Sequence, residues 1–302
     1  MDLTLTGLYV PLVSPFTAGG ELAAQALESL AHEVIDAGAA GIVALGTTGE
    51  PSALSAGERR TVLDVCARVC RERSVPLIAG AGGNDTRGCA QALAGLTKWP
   101  EVSAALVTVP YFTRPGPAGV LAHFTYLAGQ SPLPLVVYNI PYRTGQAVPW
   151  QTLLRLATLP MVAGVKHAAG GVDDDTVRLM AGVPGGFAVL AGDDMFASPL
   201  LALGAAGGIL ASAHVCTSAY AGLVRAWRDG EVERARSLGH RLSSLSAALF
   251  AEPNPTVIKA VLHAQGRIPS PAVRLPLTEA SQEAAAAAAG CARELADAPA
   301  GV

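Results

Sequence analysis

The strongest constraint on this chain is an alternation. Short, almost wholly apolar runs are separated by longer stretches with helical spacing of their apolar residues. The runs lie at residues 8–16, 41–45, 76–79, 104–109, 135–139, 161–166, 187–191 and 208–211. Strands this apolar are typical of a parallel sheet covered on both faces. The stretches between them, among them 22–37, 56–72, 86–96 and 117–128, read as amphipathic helices, and several stop near a glycine such as Gly38. Eight strand–helix units predict an α/β fold, a closed (β/α)8 TIM barrel. Seven or nine strands, or an open doubly wound sheet, fit the same pattern. The open sheet is disfavoured because Gly80-Ala-Gly-Gly83 lacks the full G-x-G-x-x-G pattern of a dinucleotide site.

Beyond residue 217 the strand pattern stops and 218–228, 231–250, 256–264 and 278–296 all read as helix. The first of these closes the barrel, giving a barrel over residues 1–229 and a C-terminal helical extension over 230–302. Pro253 and Pro255 end one helix of the extension and start the next. A hydrophobic content of 51% over 302 residues is enough for a large core, and a net charge of −3 without a basic block argues against nucleic acid as a partner. The alanine run 284–289 is too short to cross a bilayer, and the N-terminus has no basic–apolar leader, so a cytoplasmic protein is expected. Cys66, Cys70, Cys89, Cys216 and Cys291 are irregularly spaced and read as reduced, packed thiols.

No metal and no cofactor is expected. The six histidines are scattered, and Asp173-Asp-Asp175 and Asp193-Asp194 each precede a helical pattern, where aspartate caps exposed N–H groups. The chemistry points elsewhere. Only three of the 21 basic residues are lysines: Lys98, Lys166 and Lys259. Lys166 ends the apolar run Met161-Val-Ala-Gly-Val165, at the end of a barrel strand where active sites of this fold gather. A neutral lysine amine is a nucleophile toward carbonyls. Lowering its pKa from about 10.4 by roughly three units needs about 4 kcal/mol, which an apolar surrounding can supply. A strand-end lysine reaching solvent is the plain alternative.

Tyr138, at the end of the fifth run, can bring a phenol beside that amine for proton transfer, or simply donate one structural hydrogen bond. Thr47 and Thr48 in Gly46-Thr-Thr-Gly-Glu50 offer hydroxyls and N–H groups that can cradle a carboxylate, or lead into a helix near Ser55. Arg143 offers a planar fork for a second carboxylate, or an ordinary surface ion pair.

Taken together, Gly46-Thr-Thr-Gly-Glu50, Tyr138-Asn-Ile-Pro141 with Arg143-Thr-Gly145, Gly164-Val-Lys166, Gly192-Asp-Asp194 and Glu252-Pro-Asn-Pro255 resemble the dihydrodipicolinate synthase/N-acetylneuraminate lyase family of class I aldolases. The likeness runs over nearly the whole chain and is nearest the dihydrodipicolinate synthase branch, which condenses pyruvate with aspartate semialdehyde. It implies that Lys166 forms an imine with pyruvate, that Tyr138 moves protons, and that Thr47 links Tyr138 to a relay. It implies that Thr48 and the backbone of Ile209 hold pyruvate, that Arg143 binds the aldehyde's carboxylate, and that the protein forms a homotetramer or a homodimer. Two departures stand out. Where the branch has Pro-Tyr-Tyr, this chain has Pro110-Tyr111-Phe112, so Tyr111 or water is left to replace a relay phenol. The usual acidic residue after the lysine is His167. Both put the second substrate in question. A feedback site for lysine, where the family has one, maps to positions that include Ala56, Asn84, Arg59 and Gly88, which implies weak or no inhibition by lysine.

Overall fold

A computed structural model of the chain describes residues 4–297. Eight strands, β1 (Gly7–Pro11), β2 (Gly41–Ala44), β3 (Leu77–Gly80), β4 (Val102–Thr108), β5 (Leu135–Asn139), β6 (Val162–His167), β7 (Ala188–Ala191) and β8 (Gly207–Ile209), form a closed barrel in chain order. Every neighbouring pair is parallel, including β1 with β8. Closure at that last seam depends on glycine: a Cβ on Gly207 would stand 2.0 Å from the Gly7 carbonyl oxygen.

The helices are α1 (Ala24–Asp36), α2 (Ala56–Arg73), α3 (Thr86–Gly95), α4 (Gly116–Gln130), α5 (Pro141–Thr144), α6 (Trp150–Leu156), α7 (Asp174–Gly182), α8 (Ala197–Ala202), α9 (Thr217–Arg228), α10 (Val232–Leu249), α11 (Thr256–Ala264) and α12 (Gln282–Asp297). Local chemistry sets their ends. Ser55 and Glu58 form a reciprocal capping box at the start of α2, and Asp173 caps α7 by accepting from the Thr176 N–H. None among the described residues is long and apolar enough to cross a membrane.

Side-chain alternation along the strands divides the core into two. Tyr9, Val43, Ile78, Leu106, Tyr138 and Ile209 fill the barrel interior, while a larger cluster packs between strands and helices. The apolar reading of the strands therefore reflects burial on both faces. The first run is shorter than expected. β1 stops at Pro11, because the following backbone serves other partners: the Val13 N–H donates to His214 Nε2, and Phe16 bridges antiparallel to Leu22.

The helices after α9 are tied into the barrel by polar bonds. Lys259 Nζ donates to Glu50 Oε1 at 2.8 Å, the Arg274 N–H donates to Glu50 Oε2 at 2.9 Å, and the Arg274 guanidinium pairs with Glu58. Both cations stand over the Phe16 ring, with Lys259 Nζ 4.1 Å and Arg274 Cζ 4.4 Å from its centre. Residues 298–302 of the expected extension lie outside the described residues.

Candidate active site

Lys166 is inward-facing on β6 and only 6% exposed. Its register partner on β5 is Tyr138, and Lys166 Nζ lies 4.3 Å from the centre of the Tyr138 ring. The two side chains share a chamber of about 280 Å³ with Thr48, Arg143, Gly192 and Asn254. A second cavity, of about 610 Å³, is lined by Thr47, Arg59, Asn84 and Tyr111 and shares Tyr138, Ile140 and Arg143 with the first. Tyr138 and Arg143 thus form the wall between an inner chamber holding the amine and an outer one.

Each expected residue can be placed. Lys166, Tyr138, Thr48 and Arg143 meet in the inner chamber, and Thr47 and Tyr111 line the outer one. Arg143 lies in the one-turn helix α5, which begins at Pro141 and is ended by left-handed Gly145. Thr47 and Thr48 lie in a 3-10 turn, Thr47–Gly49, and the Thr48 hydroxyl accepts from Asn254 Nδ2 at 3.0 Å. Ile209 is buried in the barrel interior and lines neither chamber.

Tyr111 and Phe112 follow the end of β4 and belong to no strand, so strand alternation does not govern where they point. Tyr111 lines the outer chamber, and its N–H donates to Asn84 Oδ1 at 2.8 Å. Phe112 has a left-handed backbone, with φ of 58°, and is 87% exposed.

Two expectations are corrected. Asp193 and Asp194 do not cap the turn they precede, since Asp193 makes no side-chain cap bond there. Asp194 instead reaches across to accept from the Ser212 N–H at 2.5 Å. Burial pushes its carboxyl up to about 6, against the pull of the Ser212 hydrogen bonds and the Lys166 charge. His167 is the second. One residue past Lys166, it faces away from the barrel interior, bonds Asn139 and Thr176, and lines neither chamber. It therefore has no direct contact through which to select a substrate.

Gly192, Asn254 and Glu50 entered the sequence reading only inside the blocks that carry the resemblance, with no role assigned, and the pairing of Glu50 with Lys259 escaped it. The scarcity of lysine that singled out Lys166 applied equally to Lys259, which is completely buried. All five cysteines are free.

Known proteins resemble this chain over nearly its whole length. The family model described as the dihydrodipicolinate synthetase family matches residues 4–294. The chain is 40% identical to the 4-hydroxy-tetrahydrodipicolinate synthase of Syntrophus aciditrophicus (strain SB) over 285 residues, covering 92% of this chain and 94% of that protein. Its fold superposes with a TM-score of 0.92 on the chloride-inhibited dihydrodipicolinate synthase from Acinetobacter baumannii complexed with pyruvate, at 33% identity over 97% of this chain and 99% of that one. It matches the lysine-bound dihydrodipicolinate synthase from Cyanidioschyzon merolae with a TM-score of 0.89, at 32% identity over 95% and 98% of the two chains. With the closed barrel and the buried lysine–tyrosine pair in hand, these matches place the chain in the dihydrodipicolinate synthetase family.

Proposed function

We propose that the chain is a Schiff-base-forming lyase that condenses pyruvate with aspartate semialdehyde, as a 4-hydroxy-tetrahydrodipicolinate synthase. The observation that carries this reading is the buried Lys166 beside Tyr138, in a chamber that also holds the Thr48 hydroxyl and the Arg143 guanidinium. The Lys166 amine attacks the ketone carbon of pyruvate and forms a carbinolamine. Loss of water gives the imine, and loss of a proton from the adjacent methyl gives an enamine. That carbon then attacks the aldehyde, whose oxygen takes a proton to become a hydroxyl, and the amino group of aspartate semialdehyde attacks the imine carbon, closing the ring and displacing the Lys166 amine. Each step moves a proton, and Tyr138 stands where a phenol can exchange one. Thr48 is assigned to the pyruvate carboxylate and Arg143 to the carboxylate of the aldehyde, both from the wall of the inner chamber; Ile209, which lines neither chamber, is given no contact. Thr47, with Tyr111 across the same outer chamber, is assigned to the path by which protons leave Tyr138.

We place the enzyme in the cytoplasm as a homotetramer or homodimer using two small-molecule substrates. A second reading keeps the same imine but a different acceptor, a sugar acid or hydroxy-keto acid. Phe112 favours it, since it removes a hydroxyl from the loop that follows β4. Borohydride with pyruvate decides the shared step: the parent gains the mass of one reduced adduct per chain and Lys166→Ala gains none. A parent without adduct overturns both readings. Turnover of aspartate semialdehyde against sugar-acid aldehydes then separates them.

A further inference from the structure

We propose that His167 is a positioning residue, a strut behind the site that holds Lys166 and Tyr138 side by side. The proposal rests on the imine-forming role of Lys166 given above and concerns how that role is maintained.

Register is the first observation. Tyr138 pairs with Lys166, and the next pair along the same two strands is Asn139 with His167. The first pair faces into the barrel and the second faces out, toward the helical layer. Both pairs hang from the same stretch of backbone. Whatever fixes the outer pair fixes the offset of the inner one. The His167 carbonyl also accepts from the Gly192 N–H at 2.8 Å, and Gly192 borders Lys166 on its other side.

The hydrogen bonds then fix which nitrogen of the imidazole carries a proton. The Thr176 hydroxyl donates to Asp173 Oδ1 at 2.7 Å, so toward His167 it can only accept. His167 Nε2, 3.0 Å away, therefore carries a proton. The other nitrogen, Nδ1, is then free to accept from Asn139 Nδ2 at 3.3 Å. Burial opposes a second proton by pushing the imidazole below its ordinary range, although Asp173 and Asp175 pull the other way. Asp173 also takes the Thr176 N–H at 2.8 Å, which anchors the chain of bonds at the first turn of α7.

The path from α7 through Thr176 and His167 to Asn139 is buried throughout. Asn139 Oδ1 has no partner among the described residues, so within them the imidazole makes the one side-chain hydrogen bond that orients the amide. An acidic side chain at position 167 would present only acceptors to Thr176 when ionised. The cap at the start of α7 and the identity of residue 167 are therefore matched.

Three variants test the proposal, none of them in the chambers. His167→Leu keeps the volume and removes both bonds. Thr176→Val keeps the shape and cuts the far end. His167→Gln keeps an N–H for Thr176. Circular dichroism reports folding, and steady-state kinetics with borohydride trapping report function. His167→Leu and Thr176→Val are expected to lower kcat roughly ten- to a hundredfold, as sub-ångström to ångström misplacement does. KM for pyruvate should change by no more than about twofold, and His167→Gln should recover most of the lost kcat. A folded His167→Leu or Thr176→Val with the parent's kcat overturns the proposal, as does equal loss in His167→Gln. If His167→Leu does not fold, the isosteric Thr176→Val decides. A parent that traps no pyruvate refutes the functional reading; a parent that traps it while the variants match its kcat refutes only the role of His167.

Discussion

Gly192→Ala is the sharpest probe of whether Lys166 depends on its surroundings. A methyl group on Gly192 would stand 2.6 Å from Lys166 Cγ, 2.9 Å from Cε and 3.2 Å from Ala168 Cβ. Carbon atoms in contact settle about 3.5–4.0 Å apart, so the lysine must give way by roughly 1 Å. The glycine cannot easily retreat, because its N–H is bonded to the His167 carbonyl in the next strand. Nor can the lysine yield only at its tip. Cγ is the second carbon of the side chain, and moving it means rotating χ1, which swings the amine away from Tyr138. A misplacement of this size costs on the order of a hundredfold in rate, equivalent to about 2.7 kcal/mol of barrel-mouth preorganisation. Rapid-quench trapping with borohydride should show pyruvate adduct forming about a hundredfold more slowly, with a matching loss of kcat. Gly129→Ala is the control, since nothing lies within 4 Å of a Cβ there. A Gly192→Ala enzyme that traps pyruvate at the parent's rate would show that Lys166 works from a position other than the one described.

Lys259→Met leaves Glu50 buried without its cation and should destabilise the protein by about 3–5 kcal/mol, while adding Glu50→Gln should recover most of that; denaturant midpoints measure both, and a single variant within about 1 kcal/mol of the parent contradicts the account. The pH dependence of stability follows from two buried groups that act in opposite senses. Burial raises Asp194 from 3.8 to about 6, so the folded state takes up its proton first and gains stability as pH falls between those values. Burial lowers His214 from 6.5 to about 4, so the unfolded state takes up its proton first and the folded state loses stability over nearly the same range. The two offset each other in the parent; Asp194→Asn removes the gain, and its melting temperature should fall more steeply from pH 6.5 to 4 than the parent's. Parallel curves would disprove the offset. Arg59 and Gly88 line the outer chamber, so lysine at sub-millimolar concentration should leave the rate unchanged, and inhibition in that range would overturn this expectation.

The barrel was legible because its strands are buried on both faces and so stand out as uninterrupted apolar runs. Helix limits were legible where capping is local, as at Ser55 and Gly38. Lys166 was legible because a lysine at the end of such a run conflicts with its surroundings. What the sequence hid depends on parity or on distance along the chain. Lys166 and His167 are neighbours, yet one faces the chamber and the other the helices, and only the register against Tyr138 and Asn139 decides which. Asp194 looked like a helix cap because its partner, the Ser212 N–H, is eighteen residues away. The direction of Tyr111 was not legible because the end of β4 at Thr108 cannot be read to the residue.

Distance along the chain matters most at the turn that carries Thr47 and Thr48. Leu45 and Glu50, on either side of it, both adopt left-handed backbone, with φ of 55° and 53°. Such a conformation costs a residue other than glycine about 1–3 kcal/mol and persists only where the surroundings over-determine it. Those surroundings come from the end of the chain. Asn254 holds the Thr48 hydroxyl, while Lys259 and the Arg274 N–H hold the two oxygens of Glu50. A boundary drawn at residue 229 separates the strand-bearing barrel from the helices that follow it, but these bonds cross it and converge on one turn. The segment after α9 therefore contributes to the inner chamber twice, by supplying Asn254, between α10 and α11, to its wall and by stabilising the strained loop that carries Thr48. Loss of the Glu50–Lys259 pair should consequently be felt at the hydroxyl of Thr48, as weaker pyruvate binding in Lys259→Met protein that is still folded. Unchanged KM for pyruvate in that variant would mean that the turn holds its shape without the help of the extension.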